Sequence, residues 1–297
     1  MGKHNLSTKI IPTNIDYQAF LHDRVNKYLE EYVASNNKIE EAIVYALTAP
    51  GKRVRPTLLY LVSDALSLDL IKIDSIAAAV EIIHTYSLVH DDLPCMDDDE
   101  IRRGQPSLHI KYDEAAAVLA GDAMQSMAIE MLINNNFVDG QRNIELVKNF
   151  LSTIGSKGMI LGQALDIEYE SREADEKEIL MMCELKTGLL IEYCFHAPLM
   201  IANEKNEHWK RLAKIVGISF QLIDDLLDLK QSSEILGKKT QKDKLKNKKN
   251  YPQMFGEEKT LSLLKKYKSE SNLILAEMNL EEHILCDYIN NLFKRKV

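Results

Sequence analysis

Residues 75–94 read SIAAAVEIIHTYSLVHDDLP, and their pattern decides the fold class. Ile76, Val80, Ile83, Ser87 and Asp91 recur at three- and four-residue steps, a helical period that no breaker interrupts before Pro94. Asp74, just ahead, has the chemistry of an N-cap. Two further segments, LLIEYCFHAPLMIA (189–202) and WKRLAKIVGISFQLIDDLLDL (209–229), are also apolar on more than one face. Helices of that kind belong inside a large bundle. With 12 Gly and 7 Pro in 297 residues punctuation is sparse, and neither alternating strands nor hairpin turn signals are visible. The expectation is an all-α chain, one domain spanning residues 1–297 as a single large helical bundle.

Hydrophobic residues make up 45% of the chain and charged residues 28%, the balance of a soluble globular protein. A net charge of -8 argues against a general nucleic-acid role. Cys95, Cys183, Cys194 and Cys286 have neither metal-ligand spacing nor disulfide density, which points to reduced thiols and a cytoplasmic location. No run of eighteen apolar residues and no signal-peptide core is present, so membrane insertion is not expected. MGKHNLS carries Leu6 where a myristoylation signal needs Ser or Thr.

The first helix ends in an acid cluster, HDDLPCMDDDEIRRGQP (90–106). Carboxylates about 4 Å apart repel by roughly 4 kcal/mol near a protein surface. Asp91 and Asp92 also sit at a helix C-terminus, where the dipole disfavours negative charge. In FQLIDDLLD, Asp224 and Asp228 share one helix face, Asp225 lies beside them, and the neighbours are apolar. A bound divalent cation relieves both clusters, and hard cations prefer oxygen ligands. Cations stand nearby: Lys52, Arg53 and Arg55 in PGKRVRP, Arg102 and Arg103 after the first acids, and Lys186 in LKTG, where Gly188 permits a local break. Mixed acids and bases of this kind suit a diphosphate bridged by Mg²⁺, with Arg forks on the remaining oxygens. No P-loop or dinucleotide fingerprint is present.

Taken in order, GKRVRP, HTYSLVHDDLPCMDDDEIRRG, LAGDA, GQALD, KTG, FQLIDDLLD and LGKK…D…K…YP resemble the trans-isoprenyl diphosphate synthase family, most similarly its bacterial farnesyl diphosphate synthases. The resemblance runs from about residue 41 to 252, and the C-terminal DYINNLFKRKV also fits. It implies a helical bundle around a deep central cavity, usually a homodimer. It implies that Asp91, Asp92 and Asp97 hold two Mg²⁺ ions against an allylic diphosphate, and that Asp224, Asp225 and Asp228 hold a third. By the same resemblance Arg102 binds the allylic diphosphate, while Lys52, Arg55, His84 and Arg103 bind isopentenyl diphosphate. Lys186, Thr187 and Gln221 face the forming carbocation, and Lys248 belongs to a flap.

The implied reaction breaks the allylic C–O bond and releases diphosphate, the double bond of isopentenyl diphosphate attacks the resulting cation head to tail, and the new cation loses a proton to the released diphosphate. Bulk a turn or so upstream of the first acid sets product length in the family. Tyr86 and Ser87 stand there, and an aromatic Tyr86 favours farnesyl over geranylgeranyl diphosphate. His90 is expected to be structural, and Met181 and Met182 to fill core. Pro50, Leu161, Gln241 and Asn250 depart from the family pattern. A terpene cyclase is disfavoured by DDLLD, and a calcium loop by the ligand spacing. A non-catalytic partner subunit of a heteromeric synthase is disfavoured because both acid clusters are intact.

Overall fold

In the computed structural model, residues 14–33, 35–235 and 249–295 are described. They form fourteen α-helices: α1 Asn14–Tyr32, α2 Lys38–Thr48, α3 Val54–Ala65, α4 Asp74–Asp91, α5 Leu108–Lys111, α6 Glu114–Ile133, α7 Gly140–Ile154, α8 Met159–Ser171, α9 Glu176–Cys183, α10 Leu189–Ala202, α11 Glu207–Ile235, α12 Tyr251–Phe255, α13 Glu257–Glu277 and α14 Ile284–Phe293. Side-chain caps fix many of their starts. Asn37 accepts from the N–H groups of Ile39 and Glu40, Asp113 from Ala116, and Asp175 forms a capping box with Glu178. Asn250, one of the departures from the family pattern, caps α12 by accepting from Gln253 N–H.

The segments apolar all round occupy the centre. α4 packs on α6, α3 and α1, and α10 packs on α11, α3 and α7. From Asp74 to Ile83 every α4 side chain is buried. Asp74 is not the cap expected of it: Ile73 holds that position, and Asp74 accepts from Arg24 Nε and Nη2, at 2.6 and 2.7 Å, and from Tyr60. A second apolar cluster, built on Tyr169, Ile179, Leu222, Leu226 and Tyr251, meets the main core at Tyr267 and Phe293. Met182 is buried as expected, but Met181 is 45% exposed. α6 has the length and hydropathy of a membrane span. Here it packs as a bundle helix against α4 and α2.

Among the described residues strand is present after all, in one hairpin. β1 Ile101–Arg102 pairs with β2 Gln105–Pro106. Arg103 and Gly104 turn the hairpin with φ of 53° and 76°, the positive pair that two-residue hairpins require. An Arg-Gly turn lacks the usual Asn or Asp signal, which is why the pattern concealed it.

Between α9 and α10, residues Glu184–Gly188 form a π-turn. α8 and α11 bear on it closely. A Cβ on Gly162 would lie 2.1 Å from the Lys186 backbone nitrogen, and one on Gly217 would lie 2.9 Å from the Gly188 carbonyl oxygen. Leu161, another departure, is part-exposed, so the glycine the packing requires is the one that remains. Pro50 follows the end of α2, where Ala49 is already extended as a residue preceding proline must be.

Just beyond the π-turn, Glu192 is buried with its Oε1 unpartnered. Burial, then Glu184, against Lys214, pushes its carboxyl up to about 7. A carboxyl raised in the fold stabilises while protonated, and that stability is lost as pH rises from the unfolded value toward 7. Glu192→Gln should therefore gain stability relative to the parent between pH 5 and 7.5, by up to about 3 kcal/mol. Thermal melts of both proteins across that range check the sign.

Candidate active site

A cavity of about 880 Å³ is walled by α3, α4, α8, the π-turn and α11. One end is charged. Lys52, Arg55, His84, Arg102 and Arg103 all line it, as do Asp91 and Asp224. The other walls are largely apolar and include Met96, Met159, Ile167, Leu190 and Tyr86.

The organiser of the cationic end is a residue that motif reading did not assign. Glu81, on α4, is 1% exposed. It accepts from Arg53 Nη1 at 2.7 Å and lies 3.8 Å from Arg103. Arg53 sits at the N-cap of α3 in a left-handed conformation, φ 44°, and donates also to the Leu47 carbonyl and Asn26. With Arg53 turned inward, Lys52 and Arg55 on either side reach the cavity. Arg55 is buried, its Nε has no partner, and burial lowers its pKa. Arg103 packs over Gly51, where a Cβ would lie 2.9 Å from its Nη1, and donates to His84 Nε2 at 3.4 Å. Burial, then Arg55 and Arg103, holds His84 well below its ordinary pKa, so at neutral pH it is an uncharged imidazole. A charged Glu within an apolar helix, three residues before a histidine, was the available signal for this arrangement.

The acids are mostly engaged. Arg102 bridges Asp92, through Nε at 2.8 Å, and Asp99 at 2.8 Å. Burial raises the Asp92 pKa against that bond. Arg295, past the end of α14, donates to Asp224 at 2.9 Å and stacks on Phe220, with Arg55 also over that ring. Asp166 of α8 takes Lys186 Nζ at 2.5 Å. Burial lowers the lysine's pKa, but Asp166 and Asp91 outweigh it, so the net shift is upward and the ammonium stays charged. Thr187 donates to Gln221 Oε1 at 2.5 Å, and Gln221 donates to Asp225 Oδ1 at 2.7 Å. Arg295 and Asp166 were quoted in motifs without a role. Their pairings join distant parts of the chain and leave no local spacing to find.

Asp92, Asp97, Asp225 and Asp228 are not among the cavity-lining residues, and among the described residues no three metal-ligating side chains form a ready-made cage. Lys248 and Gln241 lie outside the described residues. The donor set nonetheless fits a hard cation. It consists of carboxylate oxygens, and the buried Asp225 Oδ2 has no partner. Burial, with Asp166, Asp228 and Asp224 nearby, pushes Asp225 up to about 7 despite its bond from Gln221.

Residues 36–276 match the family model described as polyprenyl synthetase. The chain belongs to the polyprenyl synthetase family. Among its relatives in this trans-prenyltransferase family, the farnesyl diphosphate synthase of Haemophilus influenzae is 38% identical over 78% of this chain and 82% of its own. Geranylgeranyl pyrophosphate synthase 7 of Arabidopsis thaliana, a chloroplastic protein, is 36% identical over 89% of this chain and 79% of its own. A Helicobacter pylori geranyltransferase solved with magnesium and isoprenyl diphosphate superposes with a TM-score of 0.82 at 31% identity, covering 95% of this chain and 98% of that one. The helical bundle is thus the isoprenoid-synthase fold.

Removing one partner of a buried ion pair costs roughly 3–5 kcal/mol, because the other charge stays behind. Glu81→Gln should lower stability by about 3 kcal/mol and weaken diphosphate binding by releasing Arg53 and Arg103. Denaturant melts and calorimetry with inorganic diphosphate read the two effects separately.

Proposed function

We propose that this polyprenyl synthetase is a Mg²⁺-dependent prenyltransferase, folded as one domain. It condenses isopentenyl diphosphate head to tail with dimethylallyl or geranyl diphosphate and releases farnesyl diphosphate. One observation carries the reading: a single cavity joins a cluster of arginines and aspartates to long apolar walls. The relatives include both farnesyl and geranylgeranyl synthases, so product length rests on Tyr86, which is 7% exposed and lines the cavity.

Asp91, Asp92 and Asp97 would hold two Mg²⁺ ions, and Asp224, Asp225 and Asp228 a third; the H. pylori relative was solved with magnesium. Bound there, Mg²⁺ supplies electrophilic pull on the diphosphate and improves it as a leaving group. Arg102 orients the allylic diphosphate. Lys52, Arg55 and Arg103 hold the diphosphate of isopentenyl diphosphate, with neutral His84 donating a hydrogen bond rather than charge. Lys186 stays protonated beside Asp166 and adds positive charge near the departing diphosphate. Thr187 and Gln221 present oxygen dipoles toward the allylic cation. Apolar walls keep water from quenching it. No side-chain nucleophile is needed.

The first test incubates purified protein with Mg²⁺, isopentenyl diphosphate and each primer, and measures product length by mass spectrometry. A fifteen-carbon diphosphate is expected, chelation should abolish it, and Asp91→Asn should slow turnover about 10²- to 10³-fold. A twenty-carbon product would reject the Tyr86 argument and keep the reaction. No condensation by folded protein would sink the reading in favour of a partner subunit.

We propose also that a second copy of the chain covers α6 and α7, which expose Val118, Leu119, Ile133, Ile144 and Leu151. Apolar surface gathered in this way favours association. Sedimentation equilibrium should give twice the chain mass, and a monomer at micromolar concentration would refute it.

A further inference from the structure

α4 forms one wall of the cavity, and α6 packs against α4. Ala117, Ala120, Gly121 and Met124 recur at three- and four-residue steps on α6. The two alanines and Met124 are wholly buried, and α4 packs along this helix. Among the described residues no α6 side chain lines the cavity. Two rings of α4 stand at the boundary. Tyr86 meets His90 edge to face, with centroids 5.0 Å apart at 75°. His90 Nε2–H donates to the Val118 carbonyl of α6 at 3.2 Å. Its ring lies over Gly121 so closely that a Cβ there would fall 2.0 Å from Nε2. Both rings line the cavity. Ser87 does too, but its hydroxyl is turned back to the His84 carbonyl and adds little bulk.

We propose that His90 is a positioning residue for product length. Its imidazole, seated on the bare face of Gly121, braces the Tyr86 ring and completes the end wall of the cavity. The inference rests on the reading of Tyr86 as the stop for the growing chain, and adds that the stop has two layers. Without the His90 ring, the face of Gly121 behind it is bare and Tyr86 loses its edge-to-face neighbour. With Nε2 committed to a carbonyl, His90 is spent as a diphosphate ligand through that nitrogen, so its contribution is shape rather than charge.

The test compares products of the full-length protein and of Tyr86→Ala, His90→Ala and His90→Phe, by mass spectrometry at saturating isopentenyl diphosphate. Thermal melts and the KM for isopentenyl diphosphate accompany each variant, to separate misfolding from a moved wall. His90→Ala should raise the ratio of products one or more isoprene units longer than the parent's at least five-fold, with KM little changed. His90→Phe, which restores a ring, should keep the parent distribution. If Tyr86→Ala lengthens the product and His90→Ala does not, the proposal for His90 is overturned while the Tyr86 stop stands. If His90→Ala lengthens it and Tyr86→Ala does not, His90 stands and the Tyr86 stop falls. If neither lengthens it, both fall. Lengthening by His90→Phe as great as by His90→Ala would also overturn the proposal, because volume would then not be what His90 supplies.

Discussion

A carboxylate inside a helix bundle has to be compensated, and Glu81 is the charge around which this cavity is assembled. Taking an ion out of water costs several kcal/mol even after relaxation. Arg53, 4% exposed at its side chain, meets that cost directly, and Arg103 adds a longer-range partner. Two chain segments are thereby tied to one point on α4. The stretch ahead of α3 is fixed through Arg53, and the Arg103–Gly104 hairpin through Arg103. The positive φ values of Arg53 and Arg103 are the backbone expression of this demand. A non-glycine residue adopts that conformation when its side chain is held elsewhere.

The same economy runs through the rest of the site. Arg102 with Asp92 and Asp99, Lys186 with Asp166, and Arg295 with Asp224 pair most of the charges that line the cavity or stand just behind it. A cavity with this many ionised groups stays folded because its charges are mutually compensated. An incoming anion and an incoming cation each compete with an internal partner, so binding the two together leaves fewer buried charges unmatched than binding either alone.

Much of this was legible in the sequence. The all-helical class followed from the periodicity of 75–94 and 189–202, whereas Lys52, Arg55, His84, Asp91, Lys186 and Asp224, which line the cavity, were placed there by the family resemblance of their motifs. What escaped had a common physical cause. Glu81, Asp166 and Arg295 act through partners that are distant in the chain or that belong to other elements, and no local pattern encodes such pairs. The Arg103–Gly104 hairpin was missed because the turn obeys a tertiary ion pair rather than turn propensity. Asp74 gave up its expected capping role to Arg24 and Tyr60 for a similar reason.

The π-turn at Glu184–Gly188 sets a phase relation along the chain. An α-helix separates neighbouring residues by about 100°, whereas a wider turn lets adjacent side chains point more nearly the same way. Lys186 and Thr187 are consecutive, and both line the cavity. The wide turn is in effect one extra residue threaded into an otherwise continuous rod. Excising one residue there would let α9 and α10 fuse into a straight helix, at the cost of turning everything on the α9 side by about a quarter of a revolution. Glu176, at the start of α9, would then face away from Tyr251 of α12, to which it is now bonded. The irregularity is therefore the joint that reconciles two helical faces, one committed to the core and one to the chamber.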